Sequence, residues 1–134
     1  MKHRTKLLLA GLGLGAVIIA GCSSGASAVE TVAPADAAQI ITTQTDEIIL
    51  DIRTPDEFSQ GVIEGAINID FYDSDFADQL DALDKDARYV VYCRSGSRSG
   101  QARATFEELG FTNVTEIDGG IANWYNDGLP VVLP

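Results

Sequence analysis

From about Val29 onward, apolar runs alternate with amphipathic stretches, and the two periods predict alternating helices and strands. Pro34 to Ile41 reads as a short helix, with proline suited to its first turn. Glu47 to Ile52 is a compact β-branched run, and therefore a buried strand. Thr54-Pro55-Asp56-Glu57-Phe58 is a helix start, with threonine as cap, proline first and acids in the opening turn. Ala66 to Asp70 is a second short strand. From Asp75 to Leu83, Phe76, Leu80 and Leu83 fall on one helical stripe. Arg88 to Tyr92 predicts a strand buried on both faces. A helix from Ser99 to Leu109 stops at Gly110, a strand follows from Asn113 to Ile117, and Gly120 to Asn126 forms the last helix. Strands joined through helices imply right-handed crossovers and a parallel sheet covered on both faces.

The first 21 residues follow another pattern. Lys2, His3, Arg4 and Lys6 precede an almost unbroken apolar run from Leu7 to Ala20, as in an export signal. The run is shorter than the roughly 20 residues a membrane-spanning helix needs. Ile19-Ala20-Gly21-Cys22 resembles the lipobox of bacterial lipoproteins. The resemblance implies a diacylglyceryl group on Cys22 and removal of residues 1–21. Residues 22–28, rich in Ser, Gly and Ala, then form a flexible tether to a domain over 29–134. The expected location is the cell envelope, lipid-anchored, with the domain on the extracytoplasmic side.

Composition narrows the chemistry. Removing residues 1–21 leaves six basic residues against the 20 acidic ones, so the net charge falls from −11 to −14. Such a surface repels nucleic acid and anionic headgroups, leaving attachment to the bilayer to the acyl chains on Cys22. The only histidine, His3, leaves with the signal. A Cys-His or Ser-His nucleophilic pair is thereby excluded, as is a histidine metal site. No cofactor and no metal are expected, and a monomer is the default. With Cys22 capped, Cys93 is a lone thiol.

Cys93 ends the Arg88–Tyr92 strand, where open parallel sheets bind ligands. The loop after it, Arg94-Ser95-Gly96-Ser97-Arg98-Ser99, leads into a helix. Amides converging there, the helix N-terminus and two arginines all favour an anion. The nearest candidate is the cysteine's own sulfur, whose pKa falls in such surroundings, giving a thiolate at neutral pH. Tyrosine phosphatases and thiol-dependent arsenate reductases need C-x5-R, whereas Cys93 to Arg98 is C-x4-R, a tighter ring suited to a smaller group.

At this point the chain resembles the single-domain rhodaneses, whose six-residue loop begins with the catalytic cysteine, as does Cys93 to Arg98 (CRSGSR). Asp51 to Asn68 (DIRTPDEFSQGVIEGAIN) follows a second signature of that family, and Gly119-Gly120-Ile121-Ala122-Asn123-Trp124 a third. The resemblance implies an α/β fold, an open parallel sheet of about five strands with helices on both faces in three layers. It implies sulfur transfer through a Cys93 persulfide, from a thiosulfate-like anion to a thiol or cyanide. Arg94, Ser95, Gly96, Ser97, Arg98 and Ser99 would bind substrate, with Arg94 favoured for the sulfonate and Arg98 bracing the loop. A non-catalytic module that carries or senses persulfide for an envelope partner is the alternative. Val62 stands where the family usually has a histidine, which costs a local hydrogen bond but not the chemistry. Asp51, Arg53 and Glu57 read as a fold-stabilising charge cluster, Trp124 as core or pocket wall, and Gly65 and Gly119 as tight turns.

Overall fold

The computed structural model describes residues 25–134. The signal over 1–21 and the lipid site at Cys22 lie outside them. Ten elements follow one another: β1 (Val29–Val32), α1 (Pro34–Thr43), β2 (Glu47–Asp51), α2 (Pro55–Ser59), β3 (Ile67–Asn68), α3 (Phe76–Asp81), β4 (Arg88–Tyr92), α4 (Ser97–Glu108), β5 (Val114–Ile117) and α5 (Gly120–Asn126). The strands make one sheet in the order β1-β5-β4-β2-β3, and every pairing is parallel. The α/β fold with a five-stranded parallel sheet is the one expected.

Alternation along the strands splits the core in two. Leu50, Tyr89, Val91 and Cys93 face α3 and α4, meeting Phe76, Leu80, Ala102 and Phe106. Ile49, Val90, Tyr92 and Ile117 face the other way, meeting Ala37 of α1 and Ile121 and Trp124 of α5. Phe106 is wholly buried and stacks edge-on against Phe111 at 5.1 Å. Its truncation to alanine would cost about 3–5 kcal/mol. The two clusters clamp β4 from both sides, so the end of β4 is a fixed point in the molecule.

The structure departs from the sequence reading in three places. β1 was not foreseen: Val29-Glu30-Thr31-Val32 is too short and too polar to read as a strand, and it exists because it pairs with β5 along the sheet edge. β3 shrinks from five residues to two, since only Ile67 and Asn68 find register with β2. α4 begins at Ser97, two residues earlier than expected, because Gly96 at φ 92° turns the chain straight into the helix. Val62 is buried and trades backbone hydrogen bonds of 2.8 and 2.9 Å with Val132, so the C-terminal strap holds the segment around it. Trp124 is buried, and its Nε1–H donates to the Pro130 carbonyl at 2.9 Å.

Candidate active site

β2 and β4 are neighbours, but the chain leaves β2 toward one edge and β4 toward the other. A crevice opens outside the carboxyl ends of strands at such a reversal. Cys93 follows β4 at that point and Arg53 follows β2.

The loop after β4 is shaped by two glycines. Gly96 takes the left-handed conformation, which a Cβ would strain, and folds the chain back over the cysteine. Its N–H then donates to Cys93 Sγ at 3.1 Å. The second glycine is Gly120, at the start of α5. Ile121 N–H donates to the Cys93 carbonyl at 2.9 Å and Ala122 N–H to the Arg94 carbonyl at 3.0 Å. With those carbonyls turned outward to α5, the peptide planes present their amides to the inside of the loop. A Cβ on Gly120 would sit 2.4 Å from the Cys93 carbonyl oxygen and 2.7 Å from the Arg94 carbonyl, so only glycine allows the approach.

Cys93 is 1% exposed. Burial pushes its thiol up; the amides of Ser99, Gly96 and Ser95 act against it, as does the Ser99 hydroxyl when its hydrogen points at the sulfur. Their sum leaves the thiol below its ordinary range. What favours the anionic form of the sulfur here is a set of dipoles rather than a base.

The two arginines have separate fates. Arg98 makes a two-pronged pair with Glu57, at 2.7 and 2.8 Å, and lies over the Tyr72 ring. Glu57 is also the third residue of α2, where it forms a capping box with Thr54. The Arg98 guanidinium draws Glu57 down to about 2, against a smaller push from burial and with help from Thr54. Arg94 is exposed, and it is the one Lys or Arg among the described residues with no carboxylate partner. It lines a cleft of about 480 Å³ between α2 and α5, with Glu57, Gln60 and Tyr125. The cleft runs beside the loop, so Arg94 rather than Cys93 forms its wall. Ser95 and Ser97 are exposed, and Ser99 is buried against the sulfur.

Asp51 and Arg53 form a buried ion pair at 2.6 Å, with Arg53 also donating to the Gly61 carbonyl. Sequence reasoning grouped Glu57 with them, whereas it reaches across to the loop. It placed Gly120 in a signature without a role against the loop, and it missed Glu116, a buried carboxylate on β5 bonded to Ser99. A glycine pair before a helix and a lone acid in an apolar strand were the available signals. Among the described residues, no set of His, Cys, Asp and Glu gathers to hold a metal.

A single thiol held by loop amides at the end of a parallel strand defines a class: α/β proteins that cradle a sulfur at the carboxyl end of the sheet. Within that class the chain belongs to the rhodanese-like family, whose description as a Rhodanese-like domain matches residues 33–127. It is 39% identical to a sulfurtransferase of Allochromatium vinosum over 89 residues, 66% of this chain and 81% of that one. It is 37% identical to the thiosulfate sulfurtransferase GlpE of Pseudomonas aeruginosa over 95 residues, 71% of this chain and 83% of the relative. Among solved structures, a rhodanese-related protein from Thermoplasma volcanium superposes with a TM-score of 0.69 at 32% identity, covering 78% of this chain and 99% of that one. These relatives support sulfur transfer as the general chemistry of the site.

Proposed function

We propose that the protein is a membrane-tethered sulfurtransferase that takes sulfane sulfur from thiosulfate or a similar sulfonated donor. The observation that carries this reading is the Gly96 amide on Cys93 Sγ, with the unpaired Arg94 next in the chain. Cys93 thiolate attacks the outer sulfur of thiosulfate. The new bond joins Cys93 Sγ to that sulfur, the thiosulfate S–S bond breaks, and its electron pair leaves with sulfite. The loop amides then face the negative end of Cys93–S–S⁻. Pre-aimed donors of this kind are commonly worth about 3–4 kcal/mol each. Cyanide or a thiolate attacks the outer sulfur next, and Cys93 leaves as thiolate, so no general base is required. Arg94 holds the sulfonate of the incoming donor, and Arg98, engaged by Glu57, keeps the loop closed. Ser95 and Ser97 line the approach, and Cys22, as the lipid-bearing residue, fixes the domain to the outer side of a membrane.

Purified protein incubated with thiosulfate gains one sulfur atom by intact mass, and cyanide removes it as thiocyanate. Cys93→Ser gains none and makes none; loading of that variant would end the proposal. Cys22→Ser releases the protein from membranes, and retention would remove the lipid tether. A second reading, a carrier that holds persulfide for an envelope partner, draws on the 1% exposure of Cys93. A loaded, long-lived persulfide with negligible thiocyanate turnover would select it.

A further inference from the structure

Beneath the sulfur lies a chain of polar groups that the transfer steps do not use. Ser99, 1% exposed, has its Oγ 3.5 Å from Cys93 Sγ, 3.3 Å from the Gly96 carbonyl and 2.7 Å from Glu116 Oε1. Glu116, 5% exposed on β5, has its other oxygen bound by Arg103 at 3.0 Å and by the Thr31 hydroxyl at 3.0 Å. A serine hydroxyl has one hydrogen to give and two lone pairs. Three acceptors surround it, so two must go without.

The carboxylate wins that competition. Its contact is the shortest of the three, and charge-assisted hydrogen bonds are roughly twice as strong as neutral ones. Ser99 Oγ is then left facing the sulfur with a lone pair, which welcomes S–H and opposes S⁻. We propose that Glu116 is a positioning residue for the nucleophile: it holds the Ser99 hydrogen away from Cys93, so that Ser99 meets the sulfur as an acceptor. A Ser99 hydroxyl turned toward the sulfur would strengthen the anion; the 2.7 Å bond turns it away. The loop amides alone therefore hold the thiolate, and the buried carboxylate works against them. Arg103 and Arg98 are the charged groups facing this chain from α4; the register partners of Glu116 on β1 and β4, Thr31 and Val91, are neutral.

The effect is a thiol that holds its proton more tightly because of a neighbour that never touches substrate. Neutralising that neighbour should free the hydroxyl to turn. In Glu116→Gln the side-chain amide can donate to Ser99 Oγ, releasing the hydroxyl hydrogen to the sulfur and removing a like charge from its vicinity.

The inference rests on Cys93 being the nucleophile, but its test reads titration of the thiol and not sulfur transfer, so the two can fail separately. The full-length protein is alkylated with iodoacetamide across a range of pH, and the midpoint of the rate profile is recorded for each variant. Glu116→Gln should move that midpoint down by about one pH unit. Ser99→Ala, which deletes the acceptor and keeps the amides, should also move it down. Glu116→Gln placed on Ser99→Ala should then shift it by less than half as much as it does alone. An upward shift in Ser99→Ala would make Ser99 a donor to the sulfur and overturn the proposal. An unmoved midpoint in Glu116→Gln with a lowered melting temperature would overturn it too, leaving Glu116 a strut between β5, β1 and α4.

Discussion

Two junctions stand side by side at the carboxyl ends of β2 and β4, and they are built on opposite plans. The junction after β2 is closed on itself: Asp51 pairs with Arg53, Arg53 caps the Gly61 carbonyl, and Asn68 Nδ2 donates to the carbonyls of Asp51 and Arg53. The junction after β4 is left open inward, with amides turned to one sulfur and one arginine unpaired. Carboxylates and an amide side chain supply the partners in the first; glycines and serines leave the donors bare in the second. A site needs both, a satisfied wall for rigidity and an unsatisfied cradle for chemistry. Glu57 joins them, being the capping residue of the first and the anchor of Arg98 in the second.

The largest break comes from filling the gap between the open loop and α5. Gly120→Ala puts a methyl 2.4 Å from the Cys93 carbonyl at φ 63°, so the loop must move. We expect at least a hundredfold loss of thiocyanate formation and about 1–3 kcal/mol of stability, read by assay and chemical melt. Wild-type rates would mean that the loop's carbonyl anchors do not matter to its amides.

The sequence showed the cradle better than its support. Cys93, Gly96 and the arginines lie within six consecutive residues, so a local motif discloses them. The outer anchoring by Ile121 and Ala122 joins segments almost 30 residues apart, and the Ser99–Glu116 bond joins α4 to β5. Contacts of that kind appear only when the strands take their order. The same holds for β1, whose four residues become a strand through pairing with β5 and not through any pattern of their own. Capping signals are local, and the Thr54–Glu57 box was legible for that reason. That Glu57 also reaches Arg98, 41 residues on, was not.

The next effect sharpens the contrast between the two loop arginines. Arg94→Ala should raise the thiosulfate KM about tenfold with kcat little changed, as befits loss of uniform binding. An unchanged KM would deny Arg94 the sulfonate.

The smallest effect is on the acid side. The folded-state pKa of Glu57 is depressed to about 2 from 4.5, so its contribution to stability is full above about 4.5 and is lost as pH falls toward 2. Wild type should therefore lose melting temperature over that interval more steeply than Glu57→Gln. Parallel curves would mean that the Arg98 pair adds nothing to stability.

Because all five strands run the same way, Val29 enters at the pole where Tyr89 and Val114 start, and Cys93 emerges at the opposite one. Ser27 is fastened to Glu107, and the Ala28 carbonyl accepts from Val114 N–H, so the chain is already pinned just before β1. With Cys22 acylated as proposed, only a handful of residues, each reaching about 3.5 Å, would separate the bilayer from that pinned foot. The domain would stand on its base with the reactive sulfur uppermost. Its sulfur would pass to molecules arriving from the aqueous side, and a recipient embedded in the lipid would have to rise to meet it.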